Sequence, residues 1–228
     1  MTARLAALLL AAGAVLAGPA SAQVGPDAAE TARYGGLHAA AHRGDVPAIR
    51  KLARQADPNA VDGHGRTPLH VATFARQREA VRALAEAGAR LDALEHDRYD
   101  AVTIAAVADD EETLRLLLAL GASARQVTSR YDGTALIAAA HLGHAGVVRQ
   151  LIRAGAPLDH VNNLHWTAVI ESIVLGDGGP RHQQTLQALV AAGVDLQRPG
   201  RQGNTPLQLA RSRGFLAMVA LLEQAGAR

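Results

Sequence analysis

The stretch Gly65-Arg66-Thr67-Pro68-Leu69-His70-Val71-Ala72 recurs in variant form along the 228-residue chain. The variants begin at Thr134, Thr167 and Thr205 and read Thr-Ala-Leu-Ile, Thr-Ala-Val-Ile and Thr-Pro-Leu-Gln. The apolar third residue of the motif has spacings of 32, 33, 34, 33 and 38 residues, at Leu37, Leu69, Val102, Leu136, Val169 and Leu207. A repeat of this length predicts a row of stacked supersecondary units instead of one globular core.

A second marker, a glycine within Ala-Gly-Ala or a close variant, recurs with the same period. Its spacings are 33, 34, 38 and 33 residues, at Gly88, Gly121, Gly155, Gly193 and Gly226. Threonine followed by proline favours a capped helix start, and glycine favours a helix end in the left-handed conformation. Each unit is therefore predicted to hold two helices. We place the six units at residues 34–63, 64–96, 97–130, 131–163, 164–201 and 202–228.

This pattern resembles the ankyrin repeat family over nearly all of residues 34–228, and Gly143-His144 and Leu151-Ile152-Arg153-Ala154-Gly155-Ala156 match the family as well. The resemblance implies an all-α solenoid of helix-turn-helix units stacked side by side, with turns or β-hairpins at their tips. It also implies a module that binds proteins and does not catalyse a reaction. The first and third units depart from the motif, and a degenerate first unit is expected of a terminal cap.

The first 22 residues have the pattern of a secretory signal peptide. A positive start, Met1-Thr2-Ala3-Arg4, precedes thirteen small or apolar residues from Leu5 to Ala17 and an Ala20-Ser21-Ala22 cleavage site. The apolar stretch is shorter than the roughly 20 residues that a transmembrane helix needs. We expect cleavage after Ala22, export to the periplasm of a Gram-negative bacterium, and a linker at residues 23–33.

Composition argues against catalysis, cofactors and nucleic acid. The absence of cysteine excludes thiolate nucleophiles, zinc-thiolate sites and iron–sulfur clusters. The 23 basic and 21 acidic residues alternate along the chain, whereas nucleic-acid binding needs a clustered basic face. The single lysine, Lys51, follows no glycine-rich phosphate loop. We therefore expect no enzyme activity, no cofactor and no metal site.

The histidines and one acidic run receive structural roles. By resemblance, His70 and His38 bond backbone between units, and His144 belongs to the loop between two helices. His141 and His144 could chelate a metal, but they lie on either side of Gly143 instead of sharing one helix. The run Asp109-Asp110-Glu111-Glu112 falls at the start of a predicted helix, where acidic side chains favour the helix dipole.

The resemblance places the variable residues on one concave strip, here called the recognition strip, made of the turn tips and the inner face of each first helix. Four of the six aromatic residues fall on it, and Tyr, Trp and Arg are the side chains most enriched in interface hot spots. We expect a protein partner to bind there, although Trp166 could instead only cover the neighbouring turn. The predicted binding residues are Arg66, Phe74, Tyr99, Val107, Arg130, Tyr131, His141, Leu164, Trp166, Val174 and Asn204.

Two questions stay open at this stage. The fifth unit has about five extra residues within Gly176–His182, a predicted loop that is either a specific contact or a tolerated insertion. The protein could also be a protective or assembly factor that stabilises a periplasmic or envelope enzyme. A small-ligand binder or an enzyme is the third alternative.

Overall fold

The computed structural model describes residues 24–228, which form thirteen helices and one two-stranded hairpin. The strands β1 (Val127–Thr128) and β2 (Gly133–Thr134) pair antiparallel at one turn tip. The helices are α1 (Ala28–Arg33), α2 (Gly36–Arg43), α3 (Val46–Leu52), α4 (Pro68–Phe74), α5 (Arg78–Glu86), α6 (Ala101–Val107), α7 (Glu111–Ala119), α8 (Ala135–His141), α9 (Ala145–Arg153), α10 (Ala168–Val174), α11 (Pro180–Ala191), α12 (Pro206–Ser212) and α13 (Leu216–Gln224).

Helices α2 to α13 form six antiparallel pairs, one in each unit. The pairs stack side by side, so that their helices lie in two rows. The first helices of the units contact one another in the order α2, α4, α6, α8, α10, α12, and the second helices in the order α3, α5, α7, α9, α11, α13. Each first helix also contacts the second helix of its own unit. The structure therefore confirms the predicted all-α solenoid, in which every unit buries its apolar side against its neighbours.

The first helices begin where the sequence predicted. Thr67, Thr134, Thr167 and Thr205 each accept a hydrogen bond from the backbone N–H three residues on. The third unit replaces this threonine with Asp100, whose carboxylate accepts from Thr103 N at 2.7 Å. Its departure from the motif therefore preserves the cap, because aspartate satisfies the same free N–H groups.

The core between the two rows is made of small aliphatic side chains. Its largest fully buried members are leucine and isoleucine, and the buried apolar residues of the described chain include no aromatic ring. Alanines such as Ala72, Ala105 and Ala140 lie at the contacts between successive first helices and are fully or almost fully buried. Small side chains at these positions let neighbouring helices approach closely, which explains how the chain forms a core with few aromatics.

His38 and His144 take their expected places, whereas His70 bonds a carbonyl of its own unit, residues 64–96, and not one of a neighbouring unit. His70 Nε2 donates to the Ala93 carbonyl at 2.9 Å, and His38 Nε2 donates to the Arg66 carbonyl at 2.8 Å. His144 Nδ1 donates to Ala106 O of the preceding unit at 2.9 Å. Burial lowers the pKa of His70 to about 4, so this imidazole is neutral at physiological pH.

The acidic run also serves as expected. Asp110 is the N-cap of α7 and accepts from Thr113 N at 3.1 Å and from Thr113 Oγ1 at 2.7 Å. Glu111 and Glu112 occupy the first turn of the helix. Asp110, Glu111 and Glu112 therefore stabilise the start of α7.

Two segments differ from the sequence-based expectation. Residues 28–33, expected as linker, form α1, because Asp27 and Glu30 make a reciprocal capping box at its start. In the fifth unit Pro180, Arg181 and His182 are helical, so the inserted loop is only residues 175–179. Proline at the first helical position fits a helix start, and α11 is 12 residues long against 9 in α9.

The signal-peptide prediction for residues 1–22 lies outside the described residues. From residue 24 onward, none of the helices has both the length and the apolar character needed to cross a membrane.

Candidate protein-binding surface

Backbone hydrogen bonds join successive turn tips into one edge of the solenoid. His96 N donates to His64 O at 3.0 Å, and Ser129 N donates to Arg98 O at 2.9 Å. The next link runs from Asn163 N to Tyr131 O at 2.9 Å. The tips of units two to five are therefore held in fixed register relative to one another.

The tips of units two to five are each also closed by one polar side chain, namely Asp62, Glu95, Ser129 and Asn162. Asp62 Oδ1 accepts from the backbone N–H groups of His64 and Arg66, at 2.8 and 2.9 Å. Asn162 Oδ1 accepts in the same way from Leu164 and Trp166, both at 3.0 Å. These bonds hold the residues between them in a fixed turn, so the side chains presented at the tips start from a preorganised backbone.

The structure leaves ten of the eleven predicted binding residues at least partly accessible. Arg130, Tyr131 and Asn204 are exposed, whereas Arg66 is buried. The remaining seven are partly exposed: Phe74, Tyr99, Val107, His141, Leu164, Trp166 and Val174. All of the predicted binding residues except Arg66 therefore lie at the protein surface.

We exclude Arg66 from the recognition strip because its guanidinium pairs with carboxylates inside the protein. The residue is 3% exposed; Nε donates to Asp62 Oδ2 at 2.9 Å and Nη2 donates to Glu30 Oε1 at 2.6 Å. Burial acts to raise the pKa of Asp62, but hydrogen bonds from Tyr34, Arg66 and His64 outweigh it and lower this pKa to about 2. Arg66 thus belongs to an ionised structural cluster.

The segment before the first unit covers the strip at unit two. Glu30 Oε1 lies 2.6 Å from His64 Nε2 as well as from Arg66 Nη2. Gly25 lies against Phe74, since a Cβ atom built on this glycine would come within 3.1 Å of the ring. The part of the recognition strip that this segment leaves uncovered therefore lies in units three to six, and the aromatic residues of this part lie in units three to five.

Two aromatic residues of the uncovered part differ in their packing. Tyr131 is 40% exposed, and the Arg130 guanidinium carbon lies 5.8 Å from the centre of its ring, within cation–π range. Trp166 lies beside the turn of unit six, because a Cβ atom on Gly200 would be 3.7 Å from Trp166 Cδ1. Trp166 therefore covers the neighbouring turn and keeps part of its ring at the surface.

Sequence reasoning missed one charged group within the strip, the Glu171 carboxyl on α10. Asn162 Nδ2 donates to Glu171 Oε1 at 2.7 Å, and Glu171 Oε2 lies 3.7 Å from His141 Nδ1 on α8. Burial raises the pKa of Glu171 to about 7, and the Asn162 bond offsets part of this rise. Burial also lowers the pKa of His141, with further lowering by His182 and His144.

A signal for Glu171 is present in the repeat itself. Its position, four residues after the helix cap, is apolar in the other five units, at Ala39, Val71, Ile104, Ala138 and Leu209. A carboxylate in an otherwise apolar column is the type of exception that marks a chain-specific role.

The extra residues of unit five make contacts within the chain. His182 bonds Asp177 Oδ1 at 2.8 Å through Nδ1 and donates to His141 O at 2.9 Å through Nε2. Arg181 Nη2 donates to Asp109 Oδ2 of unit three at 2.8 Å. The first turn of α11 therefore connects unit five to units three and four, and the inserted loop is bonded to it through Asp177. His182 acts in unit five as His144 does in unit four, because each donates to a carbonyl of the preceding unit.

Within 24–228, no three His, Asp or Glu side chains are grouped as metal ligands would be. A groove of about 430 Å³ lies between α11 and α13 on the row of second helices, and glutamine, alanine, leucine and proline line it. None of the residues that line this groove is titratable.

Comparison with known proteins agrees with the architecture. A family model described as "Ankyrin repeats (3 copies)" matches residues 21–95, 37–129 and 102–199. The chain is 34% identical over 190 residues to the ankyrin repeat protein YahD of Escherichia coli K12, covering 82% of this chain and 94% of YahD. It is 30% identical over 175 residues to human B-cell lymphoma 3 protein, covering 74% of this chain and 37% of that protein. A solved ankyrin repeat domain from Acinetobacter baumannii superposes with a TM-score of 0.79 at 41% identity, over 84% of this chain and 98% of that domain.

Proposed function

This chain belongs to the ankyrin repeat family, and we propose that it is a non-catalytic periplasmic protein that binds a protein partner through units three to five of the recognition strip. Ankyrin repeats are protein–protein interaction modules. The observation that carries the proposal is the row of accessible apolar and aromatic side chains on the first helices and on the turn tips, which backbone hydrogen bonds join. Its members are Tyr99, Val107, Tyr131, Leu164, Trp166 and Val174.

The rigidity of the strip favours binding. Association loses free energy whenever loops and side chains must be ordered, and a strip whose tips are already joined in register has little left to order. Partners of this kind typically bury about 800 Å² on each side. Tyr131 is the strongest anchor candidate, because it is the most accessible aromatic of the strip and already lies beside the Arg130 guanidinium.

The periplasmic location is part of the proposal and rests on the N-terminal sequence pattern. A chain without cysteine suits an oxidising compartment, since it has no thiol to form unwanted disulfides. Cell fractionation and the intact mass of the isolated protein test this part. A mass that matches a chain beginning at Gln23 supports export and cleavage. A full-length chain found in the cytoplasm contradicts both.

The partner is tested by affinity capture from a periplasmic extract of the source bacterium. The bait is the chain from Gln23 onward, compared with the double variant Tyr131→Ala/Val107→Ser. The matched control is Leu216→Ser, because Leu216 is 78% exposed on α13, in the row of second helices. We expect one protein to be retained by the wild type and by the control and to be lost from the strip variant.

Equal retention by all three baits contradicts the proposal. If the captured protein is an enzyme, its activity with time in the presence and absence of the bait separates simple binding from a protective role. A longer active lifetime with the bait identifies a stabilising factor, and an unchanged lifetime identifies a binding module without that effect.

A further inference from the structure

The Glu171 carboxyl has a free hydrogen-bonding position that the contacts of the described chain leave unfilled. Oε1 accepts from Asn162, whereas Oε2 makes no hydrogen bond among residues 24–228. Oε2 is not fully enclosed by the protein, because the Glu171 side chain is 8% exposed and this oxygen keeps some access to solvent. A carboxylate oxygen in this situation can accept a donor that arrives from outside the molecule.

His141 lies at the mouth of this position. Its side chain is 27% exposed, and its Nδ1 is 3.7 Å from Glu171 Oε2, which is too long for a hydrogen bond. A neutral imidazole with its proton on Nε2 presents Nδ1 as an acceptor. One donor nitrogen placed between the two groups can therefore reach both of them.

The chain's own cations on the helices packed against α10 are engaged elsewhere. On α11, Arg181 pairs with Asp109, and His182 bonds Asp177 and the His141 carbonyl. On α12, Arg211 pairs with Glu223. On α8 the titratable residue is His141 itself. Glu171 therefore has no ion-pair partner except His141 within the described part of the chain.

We propose that Glu171 and His141 form a pocket that accepts the ammonium group of one lysine side chain of the protein partner. This inference rests on the proposed function, because the pocket lies in the recognition strip and assigns one feature to the partner that docks there.

Lysine fits this site better than arginine. A guanidinium is bound best by both oxygens of one carboxylate, and Asn162 already occupies one oxygen of Glu171. An ammonium is a single nitrogen with three donors on a thin aliphatic stem. Val174 and Ala138 lie three residues from Glu171 and His141 along their helices, on the same faces, and are partly exposed surfaces for that stem.

The burial of Glu171 gives this pocket a distinctive proton linkage. Because burial raises the pKa of Glu171 to about 7, the carboxyl is mostly protonated below neutral pH and must release its proton when an ammonium arrives. The affinity for lysine should therefore rise by up to about tenfold per pH unit below pH ~7 and level off above it. A lysine side chain, with an ordinary pKa of about 10.4, stays charged throughout.

The test uses Nα-acetyl-lysine N-methylamide as the probe and follows the Glu171 carboxyl carbon and the His141 ring by NMR. We expect saturable shifts at both residues and an affinity about tenfold higher at pH ~8 than at pH ~6. The neutral control is the same probe acetylated on its side-chain nitrogen, which should not bind. Glu171→Gln should weaken binding of the charged probe and abolish its pH dependence while the backbone spectrum stays that of a folded protein.

Three results overturn the inference: no saturable shift, equal binding of the neutral probe, or unchanged binding by Glu171→Gln. This titration does not involve the partner, so its outcome is independent of the capture experiment. Capture without lysine binding refutes the pocket alone, and lysine binding without capture refutes the partner proposal alone.

Discussion

Replacing Glu171 with glutamine should change stability by an amount that depends on pH. Burial raises the folded-state pKa of this carboxyl to about 7, against an ordinary value of 4.5. The folded protein therefore holds the Glu171 proton over a range in which the unfolded chain has released it. The stability contributed by the protonated group is complete below about pH 4.5 and is lost as the pH rises through about 7.

The size of the effect follows from the two pKa values. They differ by about 2.5, and each pKa unit corresponds to about 1.36 kcal/mol, so ionised Glu171 lowers the free energy of unfolding by about 3 kcal/mol. Glutamine is neutral at every pH, and its carbonyl oxygen can still accept from Asn162. The variant should therefore match the wild type near pH ~4.5 and be more stable by about 3 kcal/mol near pH ~8.

Urea unfolding of both proteins at several pH values measures this difference. Other titrations, such as that of His70, occur in both proteins and cancel when the two curves are subtracted. The difference should grow by about 1.4 kcal/mol per pH unit between about pH 5 and 7. A difference that stays constant across this range would show that Glu171 titrates normally and would refute the reasoning about its burial.

Three further changes test the structural contacts. His70→Ala should lower the free energy of unfolding by about 1–3 kcal/mol at neutral pH, because the Ala93 carbonyl loses its donor; an unchanged urea midpoint contradicts this bond. Glu30→Gln should speed backbone hydrogen exchange in α1, since α1 buries none of its residues and Glu30 reaches His64 and Arg66; equal exchange rates would mean that other contacts hold the helix. His182→Ala should lower the free energy of unfolding by about 1–3 kcal/mol and Arg181→Ala by less than about 1 kcal/mol, because His182 is buried and Arg181 pairs at the surface. A larger loss of thermal stability in Arg181→Ala than in His182→Ala would refute the structural role of His182.

The architecture was predictable because the same local sequence signals occur again in successive units. The Thr-Pro start and the terminal glycine act locally, through a cap and a left-handed turn, so each could be read without knowing what packs against it. The structural roles of His70 and His38 followed as well, because both residues occupy one position of the repeat. Each donates to a backbone carbonyl later in the chain, His38 to Arg66 O and His70 to Ala93 O.

The site was less predictable because it depends on long-range pairing. Arg66 has the residue type of an interface anchor, but its partner Glu30 lies 36 residues away, and that contact decides its burial. The capping box of Asp27 and Glu30 was visible in the sequence and could have revealed α1. The carboxylate at position 171, in a column that is otherwise apolar, was visible in the sequence too. Its neighbours Asn162 and His141, however, come beside it only when two units stack.

The central claim is that a protein partner binds units three to five of the recognition strip. The most direct measurement is photo-crosslinking in the cells that produce the protein, with the photoreactive residue benzoylphenylalanine in place of Tyr131 or, as the control, in place of Leu216. We predict one discrete crosslinked protein from position 131 that is lost when Val107→Ser is added, and no such product from position 216. A product of equal yield from both positions, or from position 216 alone, would contradict the claim.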